Sequence, residues 1–161
     1  KDGPDNRHLL TVRWREHPVD RPEESFIGVM YDGNPVDADI VITRPDHWSM
    51  AGTGLQPGDR LPRLLGYEAD RTFAGAPPGT TILAESPYQF EGRPHLAHMA
   101  SYSLPDGTTV FAAGTIQWSW GLDDFNAPQL RQSSLSPQAQ QITRNVLARL
   151  TGGPGKGMAV Q

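Results

Sequence analysis

Fifteen prolines and seventeen glycines are scattered through the 161 residues rather than clustered. Proline cannot sit inside a regular helix and glycine weakens one, so this spacing cuts the chain into short segments and leaves little room for long helices. Short strands joined by ordered turns are the expected outcome. The length and an apolar content of 37% suit one domain with a real core.

The same composition narrows the partners. A formal net charge of -4, with no run of Lys or Arg, disfavours nucleic acid. The chain has no cysteine, which removes disulfides and thiolate chemistry and leaves the compartment undecided. No apolar run approaches the roughly 20 residues of a bilayer span, so no membrane contact is expected. The opening KDGPDNRH is neither an initiator Met nor a secretory segment. The chain is therefore expected to be a piece of something longer.

FIGVMYD (26–32) and DADIVIT (37–43) are apolar runs separated by Gly33, Asn34 and Pro35, which predicts two strands around a tight connection. LPRLLGYEADR (61–71) predicts a strand ending in acids and an arginine. GTTILAES (79–86) and HLAHMASYSL (95–104) are further strands, and LPDG (104–107) is a turn by its Pro-Asp-Gly chemistry. TTVFAAGTIQWSW (108–120) then returns to complete a hairpin. One helix is expected, with Ser136 as N-cap, Pro137 at its first position and Ala139, Ile142, Val146 and Leu150 on one face. Arg144 and Arg149 suit its later half, and Gly152 can end it. The final GGPGKGMAVQ (152–161) is expected to be a flexible tail.

Continued at period two, the strand reading of 108–120 places Trp118 and Trp120 on one face as core anchors, the alternative being an exposed stacking platform. Asp123 and Asp124 then fall just past the carboxyl end of that strand, where ligand sites of open α/β sheets gather. They are candidate catalytic acids, set against the ordinary role of loop carboxylates as turn-formers. Familiar signatures fail: there is no G-x-S-x-G elbow, GGPGKG lacks most of a P-loop, and AGTGLQPG misses the dinucleotide spacing. His95 and His98 would point to opposite faces of a strand, and His17 and His47 read as surface or capping residues.

WREHPVDRPEESFIGVMYDG, DADIVITRPDHWSMAGTGL, LPRLLGYEADRTF and FAAGTIQWSWGLDD, in that order, resemble the C-terminal portion of the N,N-dimethylformamidase large (beta) subunit-like family. The resemblance spans roughly residues 10–151, with 1–9 as an extension continuing an upstream half. It implies an α/β fold: part of a doubly wound sheet like that of class I glutamine amidotransferases, strand-rich, with one C-terminal amphipathic helix. It also implies hydrolysis of a small N-substituted amide at a mononuclear iron held by two tyrosines and one glutamate, the tyrosines lying upstream. Hard oxygen ligands suit a Lewis-acidic iron. Glu68 in LLGYEADR corresponds to that glutamate, while the residue alone could equally pair with Arg71 or Arg63. Members acting on dimethylformamide carry a histidine near the glutamate; here its neighbours are Leu65, Gly66, Tyr67 and Ala69.

Two functions follow. One is the C-terminal half of an iron-dependent amidohydrolase, completed by the upstream half or a partner chain. The other is a non-catalytic binding or assembly module on the same fold. One amphipathic helix cannot cover both faces of an open sheet, which is a further reason to expect a partner segment.

Overall fold

The computed structural model describes residues 11–152. The expected extension 1–9 lies outside the described residues, as does all of the expected tail except Gly152. A short helix, α1 (Glu24–Ile27), leads into strand β1 (Met30–Val41), and a loop carrying one 3₁₀ turn (Trp48–Met50) leads to β2 (Arg60–Arg71). Strands β3 (Thr81–Phe90), β4 (Arg93–Ser103) and β5 (Thr109–Ala112) follow. A 3₁₀ helix (Ile116–Gly121), the single turn α2 (Ala127–Leu130) and α3 (Pro137–Leu150) complete the described chain.

The strands form two antiparallel sheets, β1-β2 and β3-β4-β5. Isolated bridges join them at both ends, Ile42 to Ala84 and Ala69 to Thr115. The first sets β1 beside β3, and the second sets β2 against the segment that follows β5. The protein is α/β and strand-rich, as expected, but every described pairing is antiparallel, so these residues do not form a doubly wound parallel sheet. The two sheets face their apolar side chains onto one cluster, with Ile40, Ile42, Leu61, Leu65, Leu83 and Met99 at its centre. Both sheets share that core, and α3 packs against it.

Local chemistry accounts for the elements. From Ala84 to Gln89, β3 alternates Ala84, Ser86 and Tyr88 inward with Glu85, Pro87 and Gln89 outward, the pattern of a strand wetted on one face. The β3-β4 hairpin turns over Glu91 and Gly92, both at positive φ (49° and 72°), which matches the twist of the flanking strands. Helix α3 begins as the sequence predicts: the Ser136 hydroxyl accepts the Ala139 N–H at 3.1 Å, and Pro137 follows. Ala139 and Ile142 are buried, and Val146 packs on the cluster, whereas Leu150 is exposed.

Two strand expectations change. Gly33-Asn34-Pro35 does not separate two strands; it is absorbed as bulges within the twelve-residue β1, whose register against β2 slips between Tyr31, Gly33 and Val36. The strand predicted over 108–120 stops at Ala112. Gly114 takes φ +71°, with its α-carbon against the His98 carbonyl where no side chain fits. Thr115 then caps the 3₁₀ helix by accepting the Gln117 N–H at 3.2 Å. The alternation assumed for the tryptophans is lost: Gln117 is buried, while Trp118 and Trp120 are half-buried against the core. The Trp118 indole N–H donates to Thr143 Oγ1 at 3.0 Å, which ties the 3₁₀ helix to α3.

Candidate functional site

The site begins with an irregularity in β2. Between the Ala38–Leu65 and Ile40–Leu61 pairs, β2 carries extra residues, and Arg63 and Tyr67 both sit at positive φ (57° and 39°). Non-glycine residues hold that conformation only where their surroundings over-determine it. Here the surroundings are the 3₁₀ helix. Gln117, 4% exposed, accepts the Tyr67 N–H at 3.0 Å and donates to the Arg63 carbonyl at 3.1 Å. Thr115 Oγ1 accepts the Gly66 N–H at 2.9 Å and donates to the Gly66 carbonyl at 3.1 Å. A β-carbon at residue 66 would strike the Gln117 carboxamide, so any larger residue there displaces the clamp.

Beyond this clamp the strand regains period two, and Glu68 and Asp70 share a face. Both line a cleft of about 480 Å³ whose opposite wall is Arg13, Arg15 and Glu23, with Ile27, Met30 and Tyr31 as its apolar part. Both also border an adjoining hollow of about 340 Å³ bounded by residues 111–116. The Asp70 backbone N–H donates to the Gly114 carbonyl at 2.9 Å, which fixes the far end of the segment. Burial, and after it the neighbouring Glu68 charge, push the Asp70 carboxyl up to about 6 against the opposing pull of Arg15.

The arginines of the cleft are engaged elsewhere. Arg15 pairs with Glu23 at 3.5 Å and its guanidinium lies 5.8 Å from the Tyr31 ring centre, while Arg13 pairs with Glu16 at 3.5 Å. Arg71 pairs with Asp32, and Arg63 with Asp37, so neither cation proposed from sequence for Glu68 takes it. Among the described residues Glu68 has no ion pair.

Asp123 and Asp124 are exposed on the loop after the 3₁₀ helix and do not line the cleft. Asp123 Oδ1 accepts the Phe125 N–H at 2.6 Å, and Asp124 Oδ2 accepts the Ser133 hydroxyl at 3.1 Å. Nearby, the Arg131 guanidinium stacks 4.6 Å from the Trp120 ring centre, whose indole meets Tyr67 edge-on. His47 caps the first 3₁₀ turn through the Ser49 N–H, as its setting suggests. Among the described residues no three His, Cys, Asp or Glu side chains converge as a metal site. Glu68 offers one carboxylate beside two guanidinium groups, so the cleft by itself does not fit an iron ion.

Asp70 carries no assignment from sequence, though its place two residues after Glu68 in a strand was the available signal. Gln117 was hidden by the strand reading of its segment. A third group without a sequence signal surrounds Asp32, the bulge residue between Tyr31 and Gly33. Its carboxylate, 9% exposed, accepts Tyr88 Oη at 2.6 Å and meets His95 Nδ1 at 2.8 Å and Arg71 Nε at 3.4 Å. Burial and the bond to Asp32 hold the Tyr88 phenol well above its ordinary range. The cluster fastens the β3-β4 hairpin to β1.

Comparison with known proteins gives one match. The family model described as N,N-dimethylformamidase beta subunit-like, C-terminal, matches residues 1–132. That range starts earlier than the expected span and leaves α3 outside it. No curated protein and no solved structure matches the chain.

Proposed function

This chain belongs to the N,N-dimethylformamidase beta subunit-like family, and from that premise we propose that it is the C-terminal module of an amidohydrolase acting on a small N-substituted amide. The observation that carries the reading is the pair Glu68 and Asp70, set two residues apart at one cleft, with Asp70 held to about 6. Amide hydrolysis stalls unless the departing nitrogen receives a proton, and a carboxyl titrating near the working pH can hold and deliver one. In this reading Asp70 holds the proton, kept there first by its burial and then by the charge of neighbouring Glu68. A cleft of about 480 Å³ suits a small ligand.

The rest of the longer protein completes the site and carries the amidotransferase-like layer that the described strands do not form. Asp123 and Asp124 take no step in this reading; they shape their own loop. The experiment is hydrolysis of N,N-dimethylformamide and related amides by the longer protein, with Glu68→Gln and Asp70→Asn compared with wild type. A loss of at least about 100-fold in kcat in each is expected. Wild-type rates in both variants would leave this chain as an assembly module. Iron lost together with activity in Glu68→Gln would make Glu68 a metal ligand instead of a neighbour that tunes Asp70.

A further inference from the structure

We propose that Gln117 is a positioning residue for Glu68, and that the strained segment it clamps exists to aim that carboxylate into the cleft. The proposal rests on the reading of Glu68 given above. Gln117 sits fifty residues from Tyr67 and touches no part of the cleft, yet both ends of its carboxamide are spent on β2 backbone, at Tyr67 N–H (3.0 Å) and Arg63 C=O (3.1 Å). A buried amide is tolerated only when its donor and acceptor are both matched, and these two bonds match them. Its target is the Gly66–Tyr67 peptide group, on the N-terminal side of the residue that precedes Glu68. Tyr67, at φ +39°, would relax to an ordinary strand conformation if nothing held it. Such a relaxation turns the next side chain, because successive strand residues face opposite ways.

The far end of the segment is equally fixed. The Ala69–Thr115 bridge and the Asp70 N–H bond to the Gly114 carbonyl come from the same stretch of chain that carries Gln117. Glu68 is thus suspended between two anchors supplied by residues 114–117. Thr115 doubles the first anchor through Gly66, and the glycine leaves the room that the carboxamide occupies. A strand needing only stability would pair regularly here and bury an apolar residue at 117.

The test uses the longer protein with N,N-dimethylformamide as the probe. Gln117→Met keeps the volume and removes both bonds; kcat is expected to fall about 100-fold, the effect of misplacing a reacting group by about 1 Å, with KM within about twofold of wild type. Gln117→Glu distinguishes aiming from mere support. Its introduced carboxyl reproduces both bonds only when protonated, so kcat relative to wild type should recover as pH falls. In the wild-type chain the Tyr67 amide should exchange its hydrogen slowly, which does not depend on activity or on any variant folding. Inactive Glu68→Gln alongside Gln117→Met with unchanged kcat, or a fast-exchanging Tyr67 amide, overturns the positioning role alone. Fully active Glu68→Gln, or no hydrolysis by wild type, overturns the site reading on which it rests.

Discussion

Gln117 and Tyr67 meet through a 3.0 Å bond from the Tyr67 backbone N–H to the Gln117 side-chain oxygen, and that bond holds a tyrosine at positive φ inside a strand. It joins two features that neither local propensity nor alternation explains: a buried glutamine and a twisted strand. The energetic consequence is testable at their shared neighbour. Gly66→Ala places a methyl group against the carboxamide and should destabilise the protein by about 1 to 3 kcal/mol through overpacking. Urea unfolding with an unchanged m-value would measure it, and a variant as stable as wild type would show that the clamp yields.

Asp70 should make the protein less stable as pH rises. Its folded value is about 6 against 3.8 for the free side chain, so between these values the folded state binds the proton more tightly. Stability falls as pH rises across that window, and the whole penalty stands above about 6. At about 1.4 kcal/mol per unit the penalty is at most about 3 kcal/mol. Asp70→Asn should therefore stabilise the chain near neutral pH and flatten its profile between those limits; unfolding midpoints across that range give the answer.

His98 works in the opposite sense. Burial lowers its affinity for a proton, and its Nδ1 accepts the Thr72 N–H at 3.1 Å, which a protonated ring could not do. The unfolded chain takes up that proton below 6.5, so stability is complete above 6.5 and declines as pH falls through it. His47, lowered chiefly by burial and accepting the Ser49 N–H, adds to the same slope. Replacing His98 with Asn should reduce the acid-side slope without removing it, since His47 remains.

Asp32→Ala should cost about 3 to 5 kcal/mol, because it strips the Tyr88 hydroxyl, His95 and Arg71 of one common acceptor. Asp32→Asn keeps the shape and an acceptor oxygen but not the charge, and should cost less. Thermal unfolding of both separates charge from geometry; equal losses would mean that the charge, and not the shape, is what counts.

The sequence showed most of the frame. β2, β3, β4 and α3 lie close to where apolar alternation and capping place them, because in those segments the local preference and the final burial agree. β1 was misread because Gly33-Asn34-Pro35 is turn chemistry in any local window, and only pairing with β2 turns it into a bulge. The segment after Gly114 was misread because period two was carried past a residue whose backbone ends the strand. Glu68 was visible as an acid at the end of an apolar run. What gives Asp70 its character was not, since the cleft it faces is shared with Glu23, Ile27 and Tyr31, roughly forty residues away in sequence.

The two isolated bridges beyond the sheet ladders decide how the module behaves in company. A sheet with open sides presents rows of unpaired amide groups on which another chain can build. Here Ile42–Ala84 and Ala69–Thr115 each fasten one sheet to another segment of the fold at a single point. The second bridge is the more exposed to change, because it depends on the few residues between β5 and the 3₁₀ helix. A cut or insertion between Ala113 and Thr115 would unhook β2 from this segment and bare the Gly66 and Asp70 amides that it now binds. The fragment would be more prone to self-association than the intact module, whatever its chemistry.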